Sequence, residues 1–207
     1  MRPAIGAEEL LTRIVICALA GPEAQRRAVQ GSEPGSWKML SRRSILAHHE
    51  AGHAVANFAF GRHVYETSIV EDVNVKVGRS THLGGFVLSG NSPTYAGRPD
   101  FTEMVLETDF ERAAKYSWIL SREIGWRGCL KTLRELRRYT RSMVERHWPA
   151  IVALANALER NQTLGQAAIE AIVERAARAP KIPMFCGTVS NVQGPDCSTG
   201  PSGEAYG

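Results

Sequence analysis

Apolar residues recur at helical spacing over residues 7–30, where Leu10, Leu11, Ile14, Val15, Ala18 and Leu19 form one stripe. "GSEPGS", residues 31–36, interrupts the stripe with turn formers. A second helical pattern begins at Ser41 or Ser44, either of which can cap it, and closes at Gly61. The pattern then changes character. "HVYETSIVEDVNVKV" and "HLGGFVLSG" are rich in β-branched and aromatic residues with partial alternation, which predicts two or three short strands. A loop over residues 90–100 follows, with two prolines and two glycines. Helical spacing resumes over about 102–121, 129–159 and 163–177, and Pro149 breaks the second of these or starts a new helix. Residues 179–207 lack periodicity and are rich in Gly, Pro and Ser, which predicts a flexible tail. The expected fold is α+β, mostly helical, with a small β-sheet beside the second helix.

Composition narrows this picture only a little. A chain of 207 residues, 43% hydrophobic and 22% charged, can bury a real core in one domain. The net charge of +4 is too small to argue for nucleic acid. Cys17, Cys129, Cys186 and Cys197 form no CxxC pair and read as reduced thiols in a cytoplasmic protein, with a Cys186–Cys197 bridge as the oxidised alternative. "RIVICALAG", residues 13–21, is the most apolar stretch, yet its run is far below the roughly 20 residues of a spanning helix. Glu8 and Glu9 stand before it where a signal peptide would be basic. Neither a membrane nor a nucleic acid is expected as a partner.

Chemistry concentrates in "LAHHEAGHAVANFAFG", residues 46–61, which contains His49-Glu50-Ala51-Gly52-His53. On a helix, residues four apart share a face, so both imidazoles of HExxH can hold one metal ion. Glu50 lies about 100° around the helix from His49, beside such an ion rather than on it. It is placed to take a proton from a water that attacks a carbonyl. Zn2+ suits this work, because it polarises the carbonyl and acidifies water without redox chemistry. Ala47, Ala51, Gly52 and Ala54 are small enough to let neighbouring backbone come close. His48 points away from His49 and reads as structural, and His63, His82 and His147 have no partner at ligand spacing. A third ligand has to come from elsewhere, since Ala56 and Ala59 stand where the HExxHxxGxxH peptidases carry Gly and His.

"HHEAGHAVANFAFG" resembles the active-site helix of the FtsH-type zinc metallopeptidases, and "ETDFERAAKYSWIL", residues 107–120, resembles that family's second signature. The resemblance implies a zincin-like domain in which Asp109 is the third metal ligand. Glu111 is the runner-up and Glu107 a further rival acid. "VERHWPAIVALANALERNQTL", residues 144–164, is similar to the family's C-terminal helical region, so the likeness covers about 45–178. Two departures stand out. The family's "AGxxAE"-like helix is matched only by "LAGPEAQ" at residues 19–25, ahead of HExxH rather than after it. The chain also lacks a GxxxxGK[ST] loop and with it the family's ATPase motor.

The division expected is an N-terminal helix and linker over 1–40, a peptidase domain over 41–178, and the tail. The function expected is a zinc-dependent endopeptidase acting on peptides or unfolded proteins, with a separate ATPase and a homo-oligomer as further partners. The alternative is a non-catalytic adaptor or peptide-binding module of the same fold. Strand "LGGFVLSG", residues 83–90, could receive an extended peptide by edge pairing. The cations around 131–146 read as a solvated helix face, interrupted by Glu135 and Glu145.

Overall fold

A computed structural model of the chain describes residues 6–30, 40–70, 86–90 and 108–178. Six helices and three short strands are found among them. In chain order they are α1 (Ala7–Gln30), α2 (Arg42–Ala59), β1 (His63–Ser68), β2 (Phe86–Gly90), α3 (Asp109–Ser121), α4 (Gly125–Arg146), α5 (Trp148–Asn161), β3 (Thr163–Gly165) and α6 (Gln166–Arg178). The α+β, mostly helical expectation holds. The calls on the 91–100 loop, on 102–107 and on the 179–207 tail lie outside the described residues, as do His82, Glu107 and the Cys186–Cys197 pair.

Helix α2 runs through the middle of the fold. Ser41 caps it, its hydroxyl accepting the Ser44 N–H at 3.1 Å. One side of α2 packs on α5 and the sheet. There Leu46, Ala51, Val55, Val64, Ile151, Leu154, Leu158 and Ile169 form the largest buried cluster. Each of the larger aliphatics buried there contributes about 1.5–3 kcal/mol relative to exposure. The other side of α2 meets α1 almost backbone to backbone. A Cβ built on Gly52 would lie 2.6 Å from the Ala20 carbonyl oxygen and 2.7 Å from the Ala24 Cβ, so the crossing tolerates no side chain there. Helix α1 then receives α3 and α4 on its far side, through Val15, Ala18, Leu19, Ala113, Tyr116, Leu120, Leu133 and Leu136.

The sheet is antiparallel in the order β2-β1-β3. Strand β1 is central and pairs Val64 with Ser89 on one side and Thr67 with Leu164 on the other. Strand β3 corrects the sequence reading, which began the last helix at 163. Three residues are too short for alternation to register, and only the pairing with β1 identifies them as a strand. The helical stretch expected over 129–159, with Pro149 as its break, is two helices, α4 and α5. Their junction is His147, with Pro149 in the first turn of α5, where a missing N–H costs nothing.

Candidate metal centre

The site is assembled by three helices. His49 and His53 project from one face of α2, one turn apart, with ring centroids 4.8 Å apart at 76°. Asp109 is the first residue of α3. Thr108 caps that helix in a reciprocal box, accepting the Glu111 N–H at 3.1 Å while its own N–H donates to Glu111 Oε2 at 2.8 Å. The capping box engages the Glu111 carboxylate and leaves that of Asp109 available. Asp109 Oδ2 lies 2.9 Å from His49 Nε2 and 3.1 Å from His53 Nε2, and the two Nε2 atoms are 3.1 Å apart. These three residues form the group among the described residues whose ligand atoms could share one metal ion.

Helix α1 fixes how the imidazoles are presented. His53 Nδ1–H donates to the Cys17 carbonyl at 2.7 Å, and His49 Nδ1–H donates to Gln25 Oε1 at 3.0 Å. With both Nδ1 atoms so engaged, both Nε2 atoms turn to Asp109 and to each other, which is the tautomer a metal needs. Gly21 makes room for this, since its hydrogen faces the His53 ring where a Cβ would come within 2.3 Å of Nε2. Thus "LAGPEAQ", whose partial match to the family pattern is, from sequence alone, either a displaced element or a coincidence, lies directly beside the histidines. Sequence reasoning named that segment but missed the roles of Cys17, Gly21 and Gln25. A backbone carbonyl leaves no mark in a sequence, and Gln25 is 24 residues from His49.

Glu50 is 4% exposed, and no hydrogen-bond donor to its carboxylate is found among the described residues. Burial pushes its pKa up to about 8; the charge of His53 opposes this and that of Asp109 adds to it. Burial works against charging His53, but the Asp109 carboxylate outweighs it and raises His53 to about 9. Burial also disfavours the Asp109 anion, yet the two imidazoles hold its pKa well below the carboxylate range. The cluster therefore draws positive charge to the point where its three ligand atoms converge.

That donor set fits zinc. Nitrogen and oxygen ligands at zinc distances stand roughly 3.3 Å apart in a tetrahedron, close to the three separations here. Two imidazoles and one carboxylate leave a fourth position open, as in hydrolytic zinc sites.

Other sequence candidates sit elsewhere. His48 Nδ1–H donates to the Ser44 carbonyl, and its ring stacks 5.7 Å from Trp148. His63 lies 3.9 Å from Glu170, and His147 joins α4 to α5. Asn57 ties the site helix to the sheet: its Nδ2 donates to the His53 carbonyl at 2.8 Å and its Oδ1 accepts from Ser89 on β2 at 3.0 Å. Comparison with protein-family models, with curated proteins and with solved structures found no match.

Proposed function

We propose that the chain is a zinc-dependent endopeptidase of zincin-like architecture, hydrolysing peptide bonds in peptides or unfolded segments. The observation that carries this reading is the convergence of His49, His53 and Asp109 beside a buried Glu50. Zinc held by those three side chains would supply Lewis acidity to the scissile carbonyl and lower the pKa of water to about 7. Glu50 takes the proton of the attacking water and passes it to the leaving amine nitrogen. A carboxylate shielded from solvent, its pKa raised by burial, is suited to hold and return that proton. Gln25 and the Cys17 carbonyl hold the ligands in register.

The position of "LAGPEAQ" supports the FtsH-type resemblance. The family's "AGxxAE"-like helix follows HExxH, and the segment that partly matches it here precedes HExxH and lies against the two histidines. These 207 residues contain no phosphate-binding loop, so on this reading any ATP-driven unfolding or delivery of substrate comes from outside them.

The test is cleavage of casein by the zinc-loaded protein, compared with Glu50→Gln. We expect Glu50→Gln to keep its metal and lose activity by about 100-fold or more. Equal activity in the two proteins would remove Glu50 from the reaction. Metal-loaded protein that cleaves nothing, but retains peptides, would favour the adaptor.

A further inference from the structure

Among the described residues no helix is long and apolar enough to cross a membrane. Even so, one end of the α3–α4 hairpin carries apolar surface that the fold does not use. Ile124 and Trp126, at the bend where the chain doubles back, are 73% and 65% exposed. One turn away on either helix, Trp118, Ile119 and Leu130 are exposed as well. On α3 the row through Trp118 and Arg122 lies away from the Tyr116 and Leu120 face that packs on α1, whereas on α4 Trp126 and Leu130 fall in line with Leu133, so what the exposed residues share is the end of the hairpin.

The charge around this patch is one-sided. Residues 118–134 contain Arg122, Arg127, Lys131 and Arg134 against the single carboxylate Glu123. Among the described residues none of the four cations has an ion-pair partner, whereas Arg137 and Arg141, further along α4, are engaged by Glu23.

We propose that the α3–α4 tip is a peripheral docking surface for an anionic lipid bilayer. Tryptophan and branched aliphatic side chains at a chain reversal can enter the headgroup boundary, with the arginines and lysine behind them meeting lipid phosphates. Charge complementarity selects this occupant over a neutral one. The aliphatic members select it over a nucleic acid, where aromatic residues stack on bases and isoleucine and leucine gain little. A membrane partner was not expected from the sequence, where the cations and the apolar residues are interleaved and their exposure at one end of a hairpin is not legible.

The experiment is co-sedimentation of the full chain with vesicles of phosphatidylglycerol and phosphatidylcholine, beside vesicles of phosphatidylcholine alone. The expected result is binding to the anionic vesicles only, weakened by salt. Arg127→Glu with Lys131→Glu should lower it by at least about tenfold, and Ile124→Ser with Trp126→Ser should abolish it. Circular dichroism and melting temperature check that both variants stay folded. Several results would overturn the proposal. One is wild type that stays in the supernatant with anionic vesicles; another is binding indifferent to both substitutions. A third is a wild-type dimer that Ile124→Ser with Trp126→Ser turns into monomer, which would make a second copy the occupant. Salt-sensitive retention of a nucleic acid without vesicle binding would also count against it. None of these readouts depends on metal or peptidase activity.

Discussion

A methyl group on Gly21 would occupy the place of the His53 imidazole, 2.3 Å from its Nε2 and 2.7 Å from two ring carbons. Gly21→Ala should therefore displace His53 and lose the metal, while alanine, a better helix former than glycine, keeps α1 helical. Equilibrium dialysis against zinc, with circular dichroism as the control on folding, checks this. Gln25→Ala is milder. It removes the acceptor on His49 Nδ1 without touching a ligand atom, so zinc affinity should fall by about 10–100-fold, measured by chelator competition. The members of the His49–His53–Asp109 cluster and Glu50 were legible as residue types, because HExxH needs a helix and nothing more to bring its histidines together. Their supports were not legible, since the Gly21–His53 and Gln25–His49 contacts arise only where two helices cross.

Helix α1 is joined to α4 by Glu23, whose side chain is buried while its partners reach solvent. Arg137 Nε donates to Oε1 at 2.6 Å, Arg26 Nε donates to Oε2 at 2.8 Å, and Arg141 lies 3.5 Å from Oε2. Burial disfavours the Glu23 anion, but the hydrogen bonds from Arg137 and Arg26 outweigh it and lower the pKa below the ordinary 4.5. A lowered folded-state pKa means that the stabilisation is whole above pH 4.5 and is lost as pH falls through the folded value. Glu23→Gln should cost about 1–3 kcal/mol at neutral pH, and the gap from wild type should close as the solution is acidified below the ordinary glutamate pKa. Urea titrations across that range measure it. At this scale the sequence was a good guide to α1, α2 and the break at Pro149, where apolar spacing and turn residues agree. It missed β3, which exists only through pairing with β1. It also read the cations of α4 as one solvated face, although Arg137 and Arg141 turn to a carboxylate more than a hundred residues away.

Taken whole, the molecule is a stack in which α2 lies between α1 on one side and α5 with the sheet on the other, and α3 and α4 cover α1. The candidate centre sits where α1, α2 and the start of α3 meet, so no one of those helices contains it. Sequence order put α1 outside the segment expected as the catalytic domain, 41–178, yet Cys17, Gly21 and Gln25 of α1 contact the two histidines. Such an arrangement is hidden in a linear reading, because resemblance is read in chain order and packing is not. The most direct test of the central claim is metal content by elemental analysis of wild type, His49→Ala, Asp109→Ala and Glu50→Gln, purified and reconstituted alike. The account predicts about one zinc per chain in wild type and Glu50→Gln, and loss of it in the other two. Wild type that takes up no zinc after reconstitution, or Asp109→Ala that binds it as tightly as wild type, would contradict it.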